Sequence, residues 1–331
     1  MAKNKKKPLL PGTFVRVRPL SEIFSSLDNN GTLEGLPFMP EMAKYCGKVF
    51  MVSRKIERTC EESEEGMRRI KNVVFLDNLR CDGEAHGGCQ KKCMIFWKEA
   101  WLTTELEQKM PVEKAEEVEV LISRLPSKLS DDTYICQSTE LIRATSPLSL
   151  FDFMSYIRDL KSRTYSIPEL LKAVSYAIFL RIRYYLTGIP FRYLRGTKQR
   201  TPQWTLNLQP GELVRVKTKE EIIKTLDKKG TNRGLLFTRD MLRYCGKVYR
   251  VIGRVEKMIH EPTRKLIELK NTVILEDSVC KGCHIIRGGC PRANYNFWRE
   301  IWLERVYSQD NQQSQNPKNE FMVNEHRANI S

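Results

Sequence analysis

The chain has 331 residues, of which 41% are hydrophobic, and it carries a formal net charge of +16 at pH 7. A hydrophobic share of that size excludes a globally disordered chain, and the length suffices for two or three domains. The positive excess points outward, to an anionic partner such as nucleic acid, an acidic lipid surface or a polyanionic substrate.

At the N-terminus, MAKNKKKPLLPGTF offers only Leu9 and Leu10 as an apolar stretch before Pro11 and Gly12, too little for a signal peptide. The first strand is FVRVR (14–18), where apolar and basic residues alternate with period two. A short helix follows in EIFSSLDNNG (22–31), ending at Gly31, which suits a left-handed cap. GKVFMVSRKIER (47–58) and NVVFLDNL (72–79) read as two more strands, joined by a hairpin loop in CEESEEGMRR (60–69). A closing helix is expected to carry Trp97 and Trp101 at i and i+4, on one face, docked on a small barrel.

Residues 106–205 differ in character and are expected to form a mainly helical, basic connector. PVEKAEEVEV (111–120) is acidic, TYICQSTELIRAT (133–145) suits a strand with a polar turn, and Ser146–Pro147 opens a further helix. A long helix is expected across 166–190, with Ser166 as N-cap and a Gly-Ile-Pro stop at Gly188. Its apolar stretch is interrupted by Arg181 and Arg183, so it is no transmembrane segment. RIRYYLTGIPFRYLRGTKQR (181–200) interleaves arginines with aromatics. Guanidinium pairs phosphate in two-pronged fashion and aromatic faces stack bases. Arg181, Arg183, Tyr184, Arg192, Tyr193 and Arg195 are therefore the candidate contacts to RNA or DNA. The competing view is a basic amphipathic helix end, with core aromatics and solvated arginines.

From residue 206 the chain writes its beginning again. PGTFVRVRPLSEIFSSLD (11–28) matches PGELVRVKTKEEIIKTLD (210–227), and GLPFMPEMAKYCGKVFMV (35–52) matches GLLFTRDMLRYCGKVYRV (234–251). KNVVFLDNLRC (71–81) matches KNTVILEDSVC (270–280), and GGCQKKCMIFWKEAWL (87–102) matches GGCPRANYNFWREIWL (288–303). The match runs over roughly ninety residues per copy, the size of a domain. The expected organisation is a first repeat at 10–105, the connector at 106–205, a second repeat at 206–308 and a disordered polar tail at 309–331. The fold class is α+β: two duplicated small β-barrels, each with a cysteine-rich metal loop and a C-terminal helix, joined by the helical middle.

Ten cysteines in a chain with no export signal, expected to be cytoplasmic, argue for metal ligands over disulfides. Aligned through the flanking strands, Cys81 matches Cys280 and Cys89 matches Cys290. Cys60 falls beside His260, Cys93 is replaced by Asn294, and Cys283 appears anew. The first copy offers Cys60, Cys81, Cys89 and Cys93; the second offers His260, Cys280, Cys283 and Cys290. Each sums to four soft donors, as tetrahedral zinc requires, so two zinc sites are expected. His86 is an alternative ligand in the first copy. An iron–sulfur cluster also accepts four thiolates, but histidine suits it less in the second copy. Cys46 and Cys245, in the two YCGK stretches, and Cys136 read as core residues.

The short strands and the PGxxVRV opening resemble SH3-like small barrels. The GLPFMPEM, YCGK and HGGC…C…FWKEAWL pieces together resemble bacterial hypothetical proteins, a resemblance that implies no activity. The functional expectation is a zinc-binding, duplicated protein that engages an anionic partner, nucleic acid foremost. A closed four-ligand shell is structural; a three-ligand site in the first copy would instead be catalytic, with Asp82, Glu84 and His86 as acid–base groups. The chain has no P-loop, GxGxxG, HExxH or GxSxG motif. A third expectation is a scaffold that recruits another protein.

Overall fold

The computed structural model describes residues 9–61, 67–148, 152–161, 166–187, 194–282 and 291–307. The alternation in FVRV and LVRV produces the first strand of each repeat, β1 (Phe14–Val17) and β6 (Leu213–Val216). Val15, Val17, Val214 and Val216 are fully buried, and the residues between them face outward. The other strands of the first repeat are β2 (Val49–Cys60), β3 (Met67–Arg80), β4 (Met94–Lys98) and β5 (Leu102–Thr103). Those of the second are β7 (Val248–Arg254), β8 (Thr272–Val279), β9 (Tyr295–Arg299) and β10 (Leu303–Arg305). The two sheets share one antiparallel order, β4-β3-β2-β1-β5 and β9-β8-β7-β6-β10. Register is shared too: Val15 pairs with Phe50 where Val214 pairs with Tyr249.

The turns repeat as closely as the strands. Asp28 Oδ1 accepts from the backbone N–H of Asn30 and Thr32, each at 2.9 Å, and Oδ2 accepts from the Thr32 hydroxyl at 2.7 Å. Asp227 does the same with Lys229 and Thr231. A short carboxylate that satisfies its own turn fixes the chain reversal locally, before any sheet contact forms.

Four expectations are corrected. The protein is mostly β, not α+β. The sheets are open half-barrels: among the described residues no ladder joins β4 to β5, or β9 to β10. The closing helix does not exist. Trp97 lies in β4 and Trp101 ends the 3₁₀ turn Glu99–Trp101, which redirects the chain so that both indoles enter the same core. Finally, the middle is not mainly helical. Helices Ala115–Ser123, Leu141–Ala144, Phe153–Lys161 and Ile167–Thr187 cover fewer than half of the described residues between 106 and 205. Prolines 111, 126 and 147 break the helical runs. Leu125, Leu141 and Ala144 pack into the first repeat's core, and Leu194 into the second's, so part of this segment follows the sheets.

The cores differ in one polar detail. Trp298 Nε1 donates to Ser278 Oγ at 2.8 Å, and Trp302 Nε1 to Thr225 Oγ1 at 2.9 Å. Leu79 stands at the place of Ser278, and the buried Trp97 Nε1 has no hydrogen-bond partner. Ser278→Ala should therefore cost about 1–3 kcal/mol in urea unfolding, since it strands both the indole N–H and the Asn296 amide that also donates to that hydroxyl. An unchanged midpoint would show that the indole needs no partner.

Candidate metal centre at the seam between the repeats

β3 ends at Arg80, and the chain then turns through a loop that returns as β4. The Cys81 N–H donates to the Cys93 carbonyl at 2.9 Å, so these two cysteines face each other across the mouth of the loop. The turn is built on Gly83, at φ +80°, where a Cβ would lie 2.0 Å from the Cys89 carbonyl oxygen. The approach of that backbone and the left-handed conformation both demand glycine. Gly83→Ala should displace Cys89 and lower metal affinity at least about tenfold, an outcome read by competition with a chromophoric chelator. Equal affinity would mean that Cys89 takes no part.

The 3₁₀ turn Glu84–His86 carries His86 inward, where it is 1% exposed. Glu41 reaches the same place from the turn Pro40–Tyr45. The ligand atoms of Glu41, Cys81 and His86 all lie within 4.8 Å of one another. His86 Nε2 is 2.9 Å from the Ile135 carbonyl, which only accepts, so Nε2 carries a proton. His86 Nδ1 lies 3.0 Å from Glu41 Oε1 without making a hydrogen bond, and Glu41 Oε2 has no partner. A lone pair and a carboxylate face each other there, and only a proton or a cation between them settles the contact. An imidazole held by a carbonyl on one nitrogen and presenting the other is the usual posture of a metal-binding histidine.

The Cys81 thiol donates to Glu41 Oε1 at 3.0 Å. Burial raises the Glu41 carboxyl, but the His86 imidazole beside it, followed by the Cys81 thiol, outweighs burial and holds the group below its usual range once that imidazole takes a second proton. Burial first, and then the Glu41 charge, push the Cys81 thiol up. Burial also raises Cys89, and it pushes Cys136 up to about 12. Without a metal these sulfurs are neutral thiols; a coordinated cation reverses that by deprotonating them outright.

Cys81, His86, Cys89, Cys93 and Cys136 line one cavity of about 30 Å³, room for one or two water-sized guests. Cys136 comes from the middle segment. Its neighbour Gln137 is clamped by the Phe96 N–H at 2.8 Å, the Phe96 carbonyl at 2.8 Å and the Pro37 carbonyl at 3.1 Å. The second repeat closes the far side: the Ile259 N–H donates to Cys89 Sγ at 3.3 Å, and Gln90 pairs with the backbone of Glu256 and Lys257.

Of the first copy's expected ligands, Cys81, Cys89 and Cys93 come together and Cys60 does not. Cys60 is disulfide-bonded and packs with Met67 and Leu148, so the expectation that no cysteine serves a disulfide fails there. Cys136, read as a core residue, stands in the cavity instead. Its sequence signal was slight: one cysteine opening a polar run, CQSTE, with no counterpart in the repeats. Asp82 and Glu84 lie outside the three-residue group: Asp82 pairs with Lys44 and accepts from the Glu84 N–H at 3.1 Å, and Glu84 is exposed.

In the second repeat, Cys280 accepts from the Gly282 N–H at 3.3 Å. Asp240, at the place of Glu41, accepts from the Lys281 N–H at 2.7 Å and pairs with Arg243 at 2.8 Å. His260 Nδ1 lies 2.9 Å from the Thr263 hydroxyl in a turn. Cys283 and Cys290, with His284, lie outside the described residues, as do Arg192 and Tyr193. Arg181, Tyr184 and Arg195 are exposed and Arg183 is half-buried. Among the described residues, no helix is long and apolar enough to cross a membrane. Comparison of the chain with protein-family models, with curated proteins and with solved structures finds no match.

Proposed function

We propose that the protein binds zinc at the seam of its two repeats, as a structural centre, and presents the assembled surface to an anionic partner. The observation that carries this reading is the convergence of four cysteines on one cavity with a buried His86 whose Nδ1 lies 3.0 Å from Glu41 Oε1. Cys81 and His86 are the fixed pair, and two thiols among Cys89, Cys93 and Cys136 complete a tetrahedral set of soft donors. A zinc ion there supplies charge that stabilises buried thiolates and, where Cys136 is a ligand, ties the 81–93 loop to the middle segment. Donors gather in this way only in the first repeat among the described residues, so elemental analysis of protein purified without added metal should return one zinc per chain. Two zincs would add a centre in the second repeat. A colourless, metal-free protein would overturn the proposal, and brown iron–sulfide protein would replace zinc with a cluster.

The anionic partner is supported by the net charge of +16 and by the exposure of Arg181, Tyr184 and Arg195. Salt-dependent retention on heparin tests it. One observation favours a metal-dependent enzyme instead: the tightest group has only three donors beside a cavity, which leaves a position for water. Nucleic acid is the first anionic partner to test.

A further inference from the structure

Among the described side chains of the helix Ile167–Thr187, none is fully buried. At about 3.6 residues per turn, Ile167, Leu171, Ile178, Ile182, Tyr185 and Leu186 fall on one stripe. All six are exposed, from 55% at Ile178 and Ile182 to 89% at Tyr185. Ser175 interrupts the stripe, but its hydroxyl donates to the Lys172 carbonyl at 3.0 Å, within the helix itself. Arg181 borders the stripe on one side and Lys172 on the other, both exposed.

We infer that this helix lies in the plane of an anionic lipid surface, with the stripe among the acyl chains and the bordering cations at the headgroups. The inference rests on the reading of an anionic partner and names its chemistry. Charge complementarity selects the occupant. A second copy docking helix to helix would bring Lys172, Arg181 and Arg183 against the same cations, with Glu169 the one acidic residue of the helix. Nucleic acid answers the arginines, but isoleucine and leucine side chains have no π-face on which a base stacks. A bilayer answers both: apolar area enters the acyl boundary, and the long basic side chains reach back to the phosphates. The helix is too short of apolar residues to span, so it rests on the surface.

The test is co-sedimentation of the full chain with large vesicles of phosphatidylglycerol and phosphatidylcholine, against vesicles of phosphatidylcholine alone. Binding is expected on the anionic vesicles only. It should fall about tenfold or more in the Ile178→Ser/Ile182→Ser variant, which removes apolar area without changing charge. Retention of that variant on heparin should match the parent chain, because the cations remain. No binding to anionic vesicles, or binding untouched by the double substitution, overturns the inference. So does a shift from dimer to monomer in the variant, which would assign the stripe to a second copy, or a loss of single-stranded RNA binding without any vesicle binding. The underlying reading fails separately, if the parent chain is not retained on heparin at low salt.

Discussion

Chelation of the purified protein is expected to lower its thermal midpoint by roughly 5–10 °C, the equivalent of about 3 kcal/mol or more. The 81–93 loop is held to its surroundings at His86, Gln90 and Lys91, and its sulfurs add little to that without a metal. Gly87 and Gly88 are exposed, and the sulfurs of Cys81, Cys89, Cys93 and Cys136 offer weak hydrogen bonds at best. Metal ligation adds strong bonds that the unfolded chain cannot form, so binding free energy becomes folding free energy. The same loop meets the second repeat through Gln90 and Cys89, and Cys136 belongs to the segment that pairs with it again: the Tyr134 N–H donates to the Arg264 carbonyl at 2.9 Å. Chelation should therefore speed amide exchange at Ile259 and Tyr134 as well as within the loop. Cys81→Ser and Cys93→Ser should each lose the metal and reproduce the chelated midpoint. Cys46→Ser, whose sulfur lies elsewhere in the first core, should keep it. A midpoint indifferent to chelator, or a Cys93→Ser protein with its full metal content, would sink the structural role.

The duplication was legible because local chemistry repeats wherever a turn must repeat: Asp28 with Asp227, Gly12 with Gly211, and the YCGK glycines at φ +76° in both copies. The strands were legible from their alternation. The Trp97–Trp101 spacing misled because four positions return to one side in a helix, and they also do so when a strand breaks into a 3₁₀ turn. Three of the first copy's thiols could be found by their crowding around Cys81–Cys93. Cys136 could not, because its placement depends on Gln137 bridging strand β4 and Pro37, a tertiary arrangement that leaves no spacing in the sequence. Cys60 was misassigned by the same logic in reverse. It aligned well with a second-copy histidine, yet its sulfur is taken up by a disulfide and it packs with Met67 and Leu148. The long connector helix was recognised from its caps and apolar content, but its exposed stripe is a property of what the helix does not touch.

Glu261→Gln is expected to destabilise the protein by about 3–5 kcal/mol, as breaking a buried ion pair does. Lys91 of the first repeat and Arg292 of the second converge on this carboxylate, and the side chains of all three are at most 5% exposed. Lys91 Nζ donates at 2.8 Å and Arg292 Nη1 at 3.0 Å, while Arg292 also donates to Ser138 Oγ at 2.9 Å. Removing the negative charge takes away the carboxylate that Lys91 and Arg292 share in a buried place, and it loosens the repeats where the 81–93 loop joins them. The pH dependence has a definite sign. Burial raises the Glu261 carboxyl, but the charges of Arg292 and Lys91 outweigh it and hold it at about 2, well below the usual carboxylate range. A group with a depressed folded pKa stabilises fully above its unfolded value and loses that contribution as protons are taken up below it. The difference in unfolding free energy between the parent chain and Glu261→Gln should hold steady near neutrality and shrink, by about 3 kcal/mol in all, as pH falls from about 4.5 towards about 2. Taking the difference between two proteins that share the proposed metal site cancels the acid release of any metal bound there. A gap that stays constant through that window would mean that the triad keeps its proton count on unfolding, and that the cost of the substitution comes from packing, not charge.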